Sequence, residues 1–151
     1  MSIEKDIAQS KFRNEYQKSL VNFIFTNHWL NERMSRIFDR EEITGQQFNI
    51  LRILRGAGKP LSTLQIRQRM LDRMSDTSRI VDRLILKGLV KKEICPADKR
   101  KVDVSITADG QKLLERLDLI QDEIDGVFGK LDESEAQTLN KLLDKIRSSD
   151  E

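Results

Sequence analysis

Val90-Lys91-Lys92-Glu93-Ile94-Cys95-Pro96-Ala97-Asp98-Lys99-Arg100-Lys101-Val102-Asp103-Val104-Ser105-Ile106 is the stretch whose reading decides the fold. Val102, Val104 and Ile106 alternate with Asp103 and Ser105, the period of a strand with one buried face. Val90 to Ile94 is a second short β-type run, and Pro96-Ala97-Asp98-Lys99-Arg100 between them is a turn with a basic tip. The stretch therefore predicts a β-hairpin. A two-stranded hairpin is marginal by itself in water, so it must lie against other elements.

Those elements lie immediately upstream. Ser75 is read as the cap of a helix running to about Lys87, with Gly88 as its C-terminal stop. Ile80, Val81, Leu84 and Ile85 form its apolar side, while Ser75, Asp76, Ser78, Arg79, Asp82, Arg83 and Leu86 form the opposite one. Before it, Ser62-Thr63-Leu64-Gln65 fits a capping box that opens a short helix to about Met70. Thr44-Gly45-Gln46-Gln47 is a second box, followed by Phe48, Ile50, Leu51 and Leu54 at helical spacing and ended by Gly56-Ala57-Gly58-Lys59-Pro60. Helix, short helix, helix and hairpin, in that order, make a winged helix-turn-helix over residues 44–107, with residues 71–74 as the turn.

The flanks read differently. Phe12, Tyr16, Leu20, Phe23, Leu30 and Met34 step by threes and fours, so residues 2–41 are expected to form one long amphipathic helix, too long to hide its stripe within one small domain. Thr107 is read as the cap of a helix carrying Leu113, Leu114, Leu117, Ile120 and Ile124 and ending near Gly129. Asp132-Glu133-Ser134-Glu135 opens a last helix with Leu139, Leu142, Leu143 and Ile146. The fold class is mainly α with a small β-hairpin wing, in one domain spanning residues 1–151.

Charge marks the middle of the chain as the part with a partner. The 151 residues carry a net charge of only +2, but residues 52–101 hold 14 Lys/Arg against 5 Asp/Glu, and residues 102–151 hold 6 against 13. A local cationic block of that size is the footprint of a phosphate-backbone binder. On the reading helix, Ser75, Thr77 and Ser78 suit phosphate contacts near a helix start, and Arg79 and Arg83, one turn apart, suit guanine or phosphate. Lys99, Arg100 and Lys101 sit on the turn, where a cationic arm can enter a narrow minor groove. Asp98 would repel phosphate, and is better read as a brace for Arg100 or for an Arg of the body that pre-sets the wing. The bland alternative is a solvated face in which Asp82 pairs with Arg79 or Arg83.

At this point the residues resemble a known family. Asp98-Lys99-Arg100-Lys101-Val102-Asp103-Val104-Ser105-Ile106-Thr107-Ala108-Asp109-Gly110 is similar to the wing signature of the MarR (multiple antibiotic resistance regulator) transcription factors, with Ile106 where Leu is usual. Leu61-Ser62-Thr63-Leu64 and the run from Ser78 to Val90 are similar to that family's helix-turn-helix. The resemblance implies a cytoplasmic homodimer on a pseudopalindromic double-stranded DNA site. Residues 2–41 and 108–148 would then intertwine as dimerisation helices, and residues 44–107 would form the DNA-binding module. It implies that the wing arginine, Arg100, reaches the minor groove and that Asp98 holds it. It also implies, for many members, repression relieved by small aromatic or phenolic anions. Phe12, Tyr16, His28, Trp29 and Phe48 are the candidate pocket residues for such an effector, and dimer-core packing is the competing reading.

Other functions lack parts. One Cys precludes an intramolecular disulfide, and Cys95 with His28 makes no metal-ligand cluster. Gly56-Ala57-Gly58-Lys59-Pro60 lacks the first Gly and the Ser/Thr of a phosphate loop. No catalytic motif appears, so no enzyme activity, metal or cofactor is expected. The N-terminus shows no signal pattern, and the stretch from Leu20 to Leu30 is too short and polar to span a bilayer.

Overall fold

The computed structural model describes residues 2–148. Its elements are α1 (Ile3–Asp6), α2 (Glu15–Asp39), α3 (Gly45–Ala57), β1 (Leu61–Ser62), α4 (Thr63–Arg69), α5 (Thr77–Leu86), β2 (Val90–Ile94), β3 (Val102–Ile106), α6 (Ala108–Asp118), α7 (Gln121–Asp125) and α8 (Glu133–Arg147), with a 3-10 turn at Gly126–Phe128. No described helix is long and apolar enough to cross a membrane.

The winged helix-turn-helix forms where the hairpin and capping signals place it. β2 and β3 pair antiparallel with Val90 opposite Ile106 and Ile94 opposite Val102. Both capping boxes close: Thr44 accepts from the Gln47 amide while Gln47 accepts from the Thr44 amide, and Ser62 and Gln65 do the same. Thr107 caps α6 through the Gly110 amide, and its hydroxyl also donates to the Gly88 carbonyl at 2.6 Å. Gly88 lies in the left-handed region (φ 71°), as a helix stop before β2 requires.

Four local expectations need correction. The first helix does not run from residue 2. It starts at Glu15, because Asn14 turns extended and caps it by accepting from the Gln17 amide. Residues 3–6 form a separate turn of helix, tied back by the Glu4–Lys18 ion pair. The wing has a third strand: β1 pairs with β3, Leu61 opposite Val104. Asp76, not Ser75, caps α5, accepting from the Arg79 amide at 3.2 Å. The helix from Thr107 breaks at Leu119 and Ile120, with no Gly or Pro to announce it.

The core explains which parts of the chain stand alone. Ile50, Leu51, Leu61, Ile66, Val81, Leu84, Val104, Leu114 and Leu117 are fully buried together, drawn from α3, β1, α4, α5, β3 and α6. From α2 only Ile37 and Phe38 join them, and α8 contributes no buried residue. Three forked arginine–carboxylate pairs lash the core's edge: Arg40 to Glu123, Arg116 to Glu41 and Arg55 to Asp118. The Arg40 guanidinium holds the Glu123 carboxyl below its ordinary value. Beyond this edge, Tyr16, Leu20, Phe23 and Ile24 of α2 and Leu142 and Ile146 of α8 remain exposed.

Candidate nucleic-acid interface

α5 is amphipathic in the sense that a reading helix requires. Ile80, Val81 and Leu84 are buried against the core, which fixes the helix's rotation and turns Ser78, Arg79, Asp82 and Arg83 to solvent. Among the described residues neither Arg79 nor Arg83 has a carboxylate within ion-pair distance. With Gln46, Asp76 and Ile80 they line a shallow open depression between the start of α3 and the reading helix. Gln46 donates to Asp72 at 3.2 Å, so the start of α3 is held beside the turn of the helix-turn-helix.

Two of the short polar residues do not face outward. Thr77 is 3% exposed, and its hydroxyl is buried without a hydrogen-bond partner. Ser75 is also buried, donating to the Asp72 carbonyl at 2.7 Å. In this conformation the phosphate-contacting side chains read at the helix start reduce to Ser78. Thr77 and Ser75 instead shape the tight entry from the turn into α5.

The wing tip is built around Asp98. Its Oδ1 accepts from the Arg100 amide at 3.0 Å and from the Arg100 Nε at 3.2 Å, while the Lys101 amide donates to its carbonyl at 2.9 Å. The Cys95 amide closes the base of the loop on the Lys101 carbonyl, also at 2.9 Å. The backbone contacts make an Asx-type turn that sets the direction of the tip, and Arg100 projects from it with its side chain 91% exposed. Lys99 and Lys101 are exposed beside it.

Asp82 is partnered, but not by its helix neighbours. Lys92 of β2 donates to Asp82 Oδ1 at 2.7 Å, linking the reading helix to the first long wing strand. Sequence reading missed this lysine as a site residue. Its signal is the strand register, because Lys92 lies opposite the buried Val104 and so shares the face that looks towards the helices.

The five pocket candidates do not converge within one chain. Tyr16 and His28 are exposed, and twelve helical residues separate them by about 18 Å. Phe12 lies before α2, near the Lys18 amine, which stands 6.0 Å from its ring centroid. Trp29 is half-buried beneath the Arg33 guanidinium at 4.0 Å. Phe48 stacks on Phe38 at 4.7 Å between α3 and the end of α2.

Comparison with known proteins addresses this arrangement directly. The sequence profile described as MarR family matches residues 42–101, from the start of the helix-turn-helix to the wing tip. A MarR transcription factor structure from Planctomyces limnophilus is 30% identical, covering 89% of this chain and 98% of that one, with a TM-score of 0.67. A variant of MarR from E. coli, solved in complex with operator DNA, is 25% identical, covering 91% of this chain and 99% of that one, with a TM-score of 0.79. The multiple antibiotic resistance protein MarR of Salmonella typhimurium is 29% identical over 125 residues, 79% of this chain and 86% of its own length. The likeness runs through the flanking helices as well as the winged module, and this chain belongs to the MarR family of winged helix-turn-helix transcriptional regulators.

Proposed function

We propose that the chain is a cytoplasmic homodimer that binds a pseudopalindromic double-stranded DNA site and represses transcription from it. The observation that carries this reading is the pair Arg79 and Arg83, held outward on a helix whose rotation the core fixes and left without carboxylate partners among the described residues. In this reading α5 enters the major groove with Ser78, Arg79 and Arg83 towards bases and phosphates. Arg100, aimed by Asp98, enters the adjacent minor groove, and Lys99 and Lys101 flank it on the backbone. Two such modules on a two-fold axis select half-sites about one helical turn apart, and a dimer seated on a promoter excludes polymerase. The E. coli relative solved with operator DNA supports the partner class. A small aromatic or phenolic effector would bind between α2 and the partner protomer, since Tyr16, His28 and Trp29 find no common pocket within one chain.

Selection from a random duplex library, with the bound fraction sequenced, tests the reading. The expected result is an enriched pseudopalindrome. In Arg100→Ala its affinity falls by about 1–3 kcal/mol, roughly 5- to 150-fold, with the thermal midpoint unchanged because that side chain stands in solvent. A folded protein that enriches nothing would move the assignment to an adaptor that keeps the fold without binding DNA. Equal affinity of Arg100→Ala at matched salt would remove the wing from the interface. Addition of benzoate is expected to lower occupancy of the enriched duplex, and an unchanged occupancy would count against the effector site.

Salt dependence is a second expected outcome. A dimer that neutralises six or more phosphates loses about a thousandfold in affinity between roughly 50 and 200 mM salt, so log K against log salt should fall steeply. A flat plot would contradict backbone contact by the basic block.

A further inference from the structure

We propose that Lys92 and Asp82 form a positioning pair that sets DNA-sequence discrimination without either residue reading a base. The proposal rests on the DNA-binding reading above. Asp82 sits on the exposed side of α5, three residues after Arg79, and a carboxylate at that spacing has the Arg79 guanidinium as a neighbour on its own helix. Left to that helix, it would pair with Arg79 and take that guanidinium out of service. It pairs instead with Lys92, Nζ to Oδ1 at 2.7 Å, from a different element. Arg79 accordingly keeps its donors for an external acceptor.

The same contact fixes geometry. Lys92 is opposite Val104, a fully buried residue of β3, so its Cβ starts from the inner face of the wing sheet and its amine reaches across to α5. α5 is otherwise joined to the wing by the shared core, in which Val81 and Leu84 are buried with Val90 and Val104, and by the backbone passing through Gly88 and Leu89, where the Leu89 amide donates to the Leu84 carbonyl at 3.0 Å. The ion pair adds a side-chain strut between the reading helix and the strand that leads to the wing tip. Relative placement of helix and tip decides whether major-groove and minor-groove contacts fall on the same base pairs. The strut therefore acts on specificity, and because both side chains are open to solvent, at 41% and 61% exposed, it contributes little to fold stability.

The test compares affinity for the duplex enriched by the selection with affinity for a random-sequence duplex of the same length. It uses wild type, Lys92→Gln, Lys92→Arg and Asp82→Asn at matched salt. The expected result is that Lys92→Gln and Asp82→Asn, opposite changes in charge, both lower the ratio of specific to random affinity, by roughly two- to fivefold, the range of an exposed pair. Asp82→Asn at the same time raises affinity for the random duplex, because a carboxylate leaves the cationic face, while Lys92→Gln lowers it. Lys92→Arg keeps the pair and restores the ratio. If the two residues act only through net charge, both duplexes shift equally and the ratio stays at the wild-type value, which overturns the proposal. A wild-type protein that does not distinguish the two duplexes overturns the DNA-binding reading and this pair with it. Wild-type discrimination with unaltered ratios in the variants overturns the pair alone.

Discussion

Gly110→Ala is expected to lower stability by about 1–3 kcal/mol, although alanine is the better helix former by roughly 1 kcal/mol. Gly110 lies in the first turn of α6, where a Cβ would stand 2.3 Å from the Leu89 carbonyl oxygen and 2.7 Å from Ile106 Cγ1. The first of these is backbone, and it cannot drift away freely. The Leu89 carbonyl accepts from the Thr107 amide at 3.1 Å, and the Thr107 hydroxyl is anchored to Gly88 one residue earlier. Making room for a methyl group means moving α6 off the β2–β3 sheet or breaking that cap. Urea unfolding at fixed protomer concentration measures the effect as a lower midpoint with an unchanged slope. Gly56→Ala is the matched control. That glycine is also in a helix, has nothing within 4 Å of a Cβ, and should gain about 0.5–1 kcal/mol. A neutral Gly110→Ala would mean that α6 does not pack this closely, and that the junction between wing and flanking helices is looser than described.

The same junction shows what sequence reading reaches. Val104 and Ile106 reveal β3 by alternation, and Thr107 reveals the cap, because both signals sit within a few residues of the structure they specify. Ile80, Val81 and Leu84 likewise fix which side of α5 is buried, and hence that Arg79 and Arg83 face out. Reading fails where the determinant is distant or too short. β1 is two residues long and carries no period; only its pairing with β3, more than forty residues on, makes it a strand. The beginning of α2 is misread because Phe12 continues the apolar spacing past the point where Asn14 leaves helical geometry. Asp82 offers two plausible partners on its own helix, and the sheet register supplies a third that periodicity cannot see. Thr77 reads as a polar contact residue by type, yet its backbone position at the entry to α5 turns the hydroxyl inward. Within the candidate interface, the residues legible in sequence are those whose direction the core sets, and the ones missed are those set by cross-element pairing.

For the proposed homodimer, Phe23→Asp is expected to give a monomer and to weaken binding of the enriched duplex by at least about a hundredfold, the loss that follows when two linked half-site contacts become independent. Tyr16, Leu20, Phe23 and Ile24 lie on α2 at helical spacing and are 86, 61, 57 and 48% exposed. Leu119, Phe128, Leu131, Leu142 and Ile146 are exposed along the C-terminal segments. Large apolar side chains exposed at both ends of one chain are what a protein–protein contact would cover, and the two ends belong to the elements that contribute least to the core. Covering them with a second copy removes the apolar surface and places two cationic modules on one two-fold axis. A carboxylate at position 23 would then have to be buried without a partner, in place of a phenyl ring worth roughly 1.5–3 kcal/mol on burial. The winged module keeps its own core, so circular dichroism of the variant should retain its helical signal while sedimentation gives half the wild-type mass. Binding to a single half-site should persist, with its salt dependence roughly halved, because each module still carries Arg79, Arg83 and Arg100. A Phe23→Asp protein that sediments as a dimer would place the interface elsewhere. One that is monomeric yet binds the full site with undiminished affinity would show that the two half-sites are read independently, and would remove dimerisation from the mechanism.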